Sequence, residues 1–285
     1  MKMDEQDESS NVEDARGSSG FQFRPVHGIG LGTVVVALVA GWALGINPLQ
    51  MLGLLSGQDS SAPASQSAAP QAPPTDDTQA KFVSQILRST EIVWGHYFQE
   101  MGRAYEDPKL VLFRDSYPTA CGLGQQAAGP FYCPNDRNVY LDLSFFDLMT
   151  QKLGAPGQFA HAYVIAHEVG HHVQNLLGIL RAQGGDRSGA NGQSVRTELQ
   201  ADCFAGVWAN RSQQERGWRL EPGDIETALN AASQIGDDTL QKRSSGMVVP
   251  ESFTHGTSAQ RVSWFKRGFQ SGRIEGCDTF AASAP

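Results

Sequence analysis

The hardest constraint on this chain is a run of residues it cannot easily hide. From Gly28 to Ile46, GIGLGTVVVALVAGWALGI, nineteen residues pass without a charged side chain. That is long enough to cross the hydrocarbon core of a bilayer. A helix buried in a soluble core normally keeps a polar stripe, and this run has none. A cleaved signal peptide competes, because small residues follow in an Ala/Ser stretch, but the run is longer than a usual signal core. The expectation is one transmembrane helix at 28–46. Lys2, Arg16 and Arg24 precede it, and no Lys or Arg follows until Lys81. That bias places the N-terminus in the cytoplasm and the rest in the periplasm or outside the cell, on a single-pass chain of the cytoplasmic membrane.

The run divides the sequence. Residues 1–27 are polar, with six acids and little to bury, and are expected to be a disordered cytoplasmic tail. Residues 47–80 are rich in Ser, Ala and Pro and are expected to be a linker. Residues 81–285 have a globular composition. The whole chain has a net charge of -8 and a pI near 5.3, which excludes a strongly basic nucleic-acid binder. Residues 81–285 hold 19 basic and 21 acidic side chains, a net of -2, so the acidity says nothing about a substrate.

All four cysteines, Cys121, Cys133, Cys203 and Cys277, lie in the globular part. An even number suits an oxidising compartment. Cys121 and Cys133 flank a short turn-rich stretch and are expected to pair, leaving Cys203 for Cys277. No CxxC occurs, which argues against a cysteine zinc site.

Apolar periodicity gives a helix over Lys81–Arg103, a short strand at Lys109–Phe113, and two strands at 129–133 and 139–146 joined by the turn 134–138. Long helices follow at Ala160–Leu177, Val195–Asn210 and Asp224–Leu240. Thr257-Ser-Ala-Gln260 forms a capping box for a last helix. Helices dominate over a small antiparallel sheet, so the class is α+β.

The chemistry concentrates in Tyr163-Val-Ile-Ala-His167-Glu168-Val-Gly-His171-His172. His167 and His171 are four apart, hence on one helix face, and both imidazoles can reach one ion. Two nitrogens on such a face suit zinc. Glu168 projects about 100° away, too far round to be a third ligand but able to hold and deprotonate a metal-activated water. Val164, Ile165, Val169 and Val173 make this helix buried, and buried imidazole and carboxyl groups there need a compensating partner. The helix from Val195 carries Glu198 and Asp202, again four apart. Glu198 can complete a His-His-Glu set with an open fourth position. Asp202 can accept the outer N–H of a ligand histidine and fix its tautomer. A solvated face is the bland alternative for that acidic pair, but Leu199, Phe204 and Val207 make the helix mostly apolar. A three-histidine plan fails, because positions 174 and 177 hold Gln174 and Leu177. His172 is expected to pack or support, and His161 and His96 to be structural.

These residues together resemble a family. HEVGHHVQ, the helix ELQAD, the stretch GPFYCPNDRNVYLDLSFF, and FTHGTSAQR with CDTF are similar to the bacterial neutral zinc metallopeptidase family, whose members are typically membrane-anchored by one span. The likeness runs from the Asn-Val-Glu-Asp of residues 11–14 to Phe280. More broadly the chain resembles gluzincins, in which a Glu of an ExxxD helix is the third ligand. The resemblance implies a zincin-like domain with His167, His171 and Glu198 on Zn2+ and Glu168 as general base, acting on a peptide or protein substrate. A hydrogen-bond donor should steady the oxyanion, and His255 is the first candidate, with Arg261 or Tyr163 behind it. An ordinary loop hydrogen bond is the bland reading of His255. The strand 139–146 could offer an edge to an extended peptide, or be plain sheet core. Ser263-Trp-Phe-Lys266 matches SxxK, a pattern too short to carry a nucleophile alone. Two rival functions stand beside the metallopeptidase: a catalytically silent zinc-containing module that binds an envelope partner protein, and a hydrolase of non-peptide amides.

Overall fold

A computed structural model of the chain describes residues 1–3, 7–17, 71–125, 129–181, 189–214, 218–282 and 285. The chain divides into two compact units, Met1–Ser18 with Pro70–Pro285, and Ser19–Ala69. The expected transmembrane helix at 28–46, and the expected linker as far as residue 70, lie outside the described residues. Among the described residues no helix is long and apolar enough to cross a membrane.

The fold is α+β. A four-stranded sheet has the order β2-β3-β7-β6, where β2 is Val12–Asp14, β3 Lys109–Phe113, β6 Phe131–Cys133 and β7 Asn138–Asp142. The sheet is mixed, which corrects the antiparallel expectation. β2, β3 and β7 run parallel, and only the β6–β7 pair is antiparallel. The reason is the long connection after β3, which includes the separate hairpin of β4 (Ser116–Thr119) and β5 (Gly122–Gln125) before the chain returns. Leu110, Leu112, Val139 and Leu141 face the main core, while Val111, Phe113 and Tyr140 face a second cluster behind the sheet. Both faces are covered, so β3 is a continuous apolar run rather than an alternating one.

The tail expectation is corrected as well. Lys2–Met3 (β1) pairs with Trp218–Arg219 (β8), and β2 belongs to the main sheet. Composition misled because so few apolar groups are involved: Val12 and Ala15 are buried, and backbone ladders and ion pairs hold the remainder.

Helix α1, Thr78–Glu100, starts at Asp77, whose carboxylate accepts from the N–H groups of Gln79 and Ala80. Strand β7 ends earlier than expected. Asp142 accepts from the backbone N–H and hydroxyl of Ser144, and helix α2 (Ser144–Leu148) begins there. The central helix is α3, Gln158–Leu176, almost wholly buried among α1, the sheet, α4 (Gln193–Arg211) and α5 (Asp224–Gln234). The single helix expected at 224–240 is two, because the chain breaks at Ile235–Gly236 before α6 (Asp237–Ser245). A side chain at Gly236 would strike the backbone of Ser258, where the last helix starts. That helix, α7 (Ser258–Ser271), carries the anticipated capping box: Gln260 N–H donates to Thr257 Oγ1 at 3.1 Å, and Thr257 N–H to Gln260 Oε1 at 2.9 Å.

Two backbone approaches set the geometry. A Cβ at Gly170 would sit 3.0 Å from the Ala201 carbonyl, so glycine lets α3 lie against α4. Gly206 and Gly268 do the same for α4 and α7, each facing the other helix's main chain where a Cβ would overlap it. Disulfides join Cys121 to Cys133 and Cys203 to Cys277, the second tying α4 to the C-terminal segment.

Candidate metal centre

Because α3 and α4 touch at Gly170, His167 and His171 face Glu198 across a short gap. One ligand atom from each of the three lies within 4.8 Å of the others. His167 Nε2 is 3.1 Å from Glu198 Oε2, and His171 Nε2 is 3.5 Å from Oε1. The opposite nitrogen of each ring is engaged elsewhere. His167 Nδ1 is 2.8 Å from Asp202 Oδ1, and His171 Nδ1 is 2.8 Å from Gln174 Oε1. With those acceptors in place each Nδ1 carries a proton, which leaves each Nε2, directed at Glu198, as the atom that would meet a cation. This is the donor set and outer support that zinc takes, so the residues present fit that ion.

The supports are themselves held. Arg261, on α7, donates through Nε to Asp202 Oδ2 at 2.8 Å and through Nη2 to Oδ1 at 2.9 Å. Tyr163 OH donates to Asp202 Oδ1 at 2.5 Å. Burial opposes charge on Asp202, but Arg261 and His167 outweigh it and bring its pKa down to about 2. On the other side the Gln174 amide donates to the Thr197 carbonyl at 2.8 Å and to Gln200 Oε1 at 3.0 Å, which closes the network onto α4.

Charge inside the cluster follows the same balance. Burial alone would lower His167, yet Asp202 and Glu198 raise it to about 10. His171 is raised too, Glu198 overcoming the burial penalty. Burial penalises the Glu198 carboxylate, but His171 and His167 hold it well below the usual range. Two imidazoles drawing charge beside two carboxylates mark a place that prefers a cation. Glu168 differs: burial pushes its pKa up, and His167 and His171 only partly offset this. A carboxyl raised in this way is suited to taking up a proton.

The cluster forms the floor of an open cavity of about 450 Å³. Glu168, His255 and Arg261 line it beside the three candidate ligands. Phe145, Leu148, Leu153, Val164, Ile235 and Leu240 make an apolar wall, and residues 129–132 border it at strand β6. β6 is the outer strand of the sheet, whereas β7 lies between β3 and β6. The strand at 138–142 is therefore sheet core, and the edge near the cavity belongs to its neighbour.

His255 stands on the loop before α7, with its side chain 52% exposed. Its Nδ1 lies 2.9 Å from Thr254 Oγ1 and 3.3 Å from Asp237 Oδ1. Asp237 Oδ2 also accepts the backbone N–H groups of Thr254, His255 and Gly256 at 2.8, 2.7 and 3.0 Å. The hydrogen bond to Asp237 raises His255, and the same carboxylate is lowered despite burial. Arg261 and Tyr163, the reserve candidates for the oxyanion, have their donors committed to Asp202 and, for Arg261, also to the Ile235 carbonyl at 3.2 Å. His172 is structural: Nε2 lies 2.6 Å from the Glu106 carbonyl, Nδ1 3.1 Å from Tyr132 OH, and burial lowers its pKa to about 4. His161 stacks on Phe146 with ring centroids 4.2 Å apart, and His96 is exposed on α1. Sequence reasoning missed Asp237 and gave Gln174 no role. The break at Gly236, which brings Asp237 to the head of a helix, was the signal available for the first.

Two largely buried, helix-borne imidazoles facing one carboxylate in an open cavity define the class: a protein with a His-His-Glu group that could hold a metal ion. Residues 1–280 match the family described as "Putative neutral zinc metallopeptidase", and the chain belongs to that family. It is 53% identical over 289 residues to the uncharacterized protein YpfJ of Escherichia coli K12, covering 97% of both chains. It is 46% identical over 205 residues to the uncharacterized protein Mb2605 of Mycobacterium bovis, covering 68% of both. No solved structure matches the chain.

Proposed function

We propose that this chain is a zinc-dependent peptidase with a zincin-like catalytic domain. The observation that carries the reading is the convergence of His167, His171 and Glu198 on the floor of a cavity that Glu168 also lines. A structural zinc site is normally closed by four protein ligands, while three ligands with room beside them suit catalysis. Zinc held there would acidify a water and polarise a carbonyl oxygen.

The chain's own residues divide the remaining work. Glu168 takes the proton of the attacking water and returns it to the leaving amine, which its raised pKa favours. His255, oriented by Asp237, donates to the oxygen that becomes negative. Asp202, held by Arg261 and Tyr163, fixes the ring of His167, and Gln174 fixes that of His171. The edge of β6 aligns an extended substrate backbone, and the apolar wall receives an apolar side chain next to the scissile bond. The two disulfides support an oxidising, extracytoplasmic setting.

The deciding experiment is Glu168→Gln. Zinc content should match the wild type while cleavage of a peptide library falls by two or more orders of magnitude, about the loss of a general base. Wild-type protein that binds zinc stoichiometrically and cuts no peptide would instead favour the partner-binding module.

A further inference from the structure

The N-terminal segment bears on how this protein meets a membrane. Strand β2 pairs parallel with β3, Val12 opposite Leu110 and Asp14 opposite Leu112. Its far side is occupied too: Asp14 N–H donates to the Gln71 carbonyl at 2.6 Å, and Gln71 N–H to the Asp14 carbonyl at 3.4 Å. Residues 14 and 71, one on either side of the uncharged run, are thus hydrogen-bonded to each other. Arg16 clasps the junction. It donates to Asp14 at 2.8 and 2.6 Å and to Asp77 at 2.6 Å, and Asp77 is also the N-cap of α1. Upstream, Ser9 and Asn11 donate to the buried Glu91 of α1 at 2.5 and 2.8 Å, and Lys109 bridges to Glu13 at 2.5 Å.

A chain that crosses a bilayer once leaves its flanks on opposite sides of about 30 Å of hydrocarbon. Flanks that share a sheet cannot be so separated. Two crossings would return the chain to its starting side, but each takes about 20 apolar residues. The stretch without Asp, Glu, Lys or Arg, between Arg24 and Asp59, falls short of two such helices and is interrupted by Asn47-Pro48. We infer that residues 1–17 and the metal-site domain lie on the same side of the membrane. The uncharged run then attaches the protein to lipid from that side, without a net crossing. This replaces the single span with a cytoplasmic N-terminus that the run and its flanking charges had suggested.

The test uses the full chain with an epitope tag at each end. In sealed membrane vesicles of one orientation, protease should remove both tags or spare both. A zero-length carbodiimide should join Glu13 to Lys109 in the membrane-bound protein, read as a cross-linked peptide by mass spectrometry. The purified chain should float with phosphatidylethanolamine–phosphatidylglycerol vesicles, and flotation should be lost when 28–46 is replaced by a Gly/Ser stretch of equal length. One tag cut and the other spared overturns the shared side, as does absence of the cross-link. A full chain that stays at the bottom of the gradient overturns the lipid attachment.

Discussion

The two walls of the cavity are built on different principles. On one, His167, His171 and Glu198 hang from helices whose backbones touch their neighbours, at Gly170 against Ala201 and at Gly206 against Phe265. Each imidazole there has a partner behind it, and the partner has one of its own. On the other, His255 is half-exposed on a loop and is held by one carboxylate that also gathers three backbone amides. Helix contacts fix the separations of His167, His171 and Glu198, while His255 sits on the exposed side of the cavity. Ligands need fixed separations, whereas an oxyanion donor needs only to close on its target when the target arrives.

The sharpest way to break the contrast is to remove the candidate ligand that α4 supplies. Glu198→Ala should abolish zinc binding, measured as metal per mole after dialysis, and peptide cleavage with it. Full zinc retention would show that Glu198 is not a ligand. A change on the loop wall should separate binding from rate. His255→Ala is expected to keep full zinc content and lose about 10²–10³ in kcat, the usual loss for one oxyanion donor. If kcat is unchanged, His255 is a loop-holding residue only.

The supports behind the two ligand histidines permit a finer test. Asp202→Asn keeps the shape but removes the charge that Arg261 balances, and should weaken zinc affinity about 10- to 100-fold. Gln174→Ala removes a neutral acceptor and should fall at the lower end of that range. Chelator competition would rank them, and the reverse order would sink the idea that charge behind His167 matters more than the amide behind His171.

The smallest effect concerns the pH response of the loop. His255 is raised by Asp237, so its contribution to stability is complete below about 6.5 and fades as pH rises through the raised value. Asp237 is lowered, so its share holds above the ordinary carboxylate range and is lost as pH falls through the lowered value. The pair is therefore most useful between those two limits. The exposed imidazole keeps its worth under about 1 kcal/mol. Melting curves should show wild type and His255→Asn converging as the medium becomes alkaline. A constant gap would mean that no charge is involved.

What the sequence made legible follows from interaction range. His167, His171, Glu198 and Asp202 stand at four-residue spacings on apolar helices, and the helix itself brings such residues to one face. The disulfide pairing was readable because Cys121 and Cys133 flank one short stretch, which left only one other pair. Asp237 was overlooked, since apolar spacing continues through 224–240 and outweighed the stop that Gly236 marks. The parallel pairing of β3 with β7 depends on contacts across an intervening hairpin, which no local pattern encodes. The N-terminal segment escaped notice because its attachment relies on Asp14, Arg16, Asp77 and main-chain bonds, and composition counts such groups as solvent-loving.

The salt link between Arg261 and Asp202 joins an earlier helix to the last long one in the chain. The histidines of α3 leave the ribosome long before the helix that neutralises the acid behind them. Until α7 docks across Gly206, Asp202 would be a buried anion without its guanidinium, and the ring of His167 would lack a settled support. The last helix to be made is thus the one that completes the support behind His167.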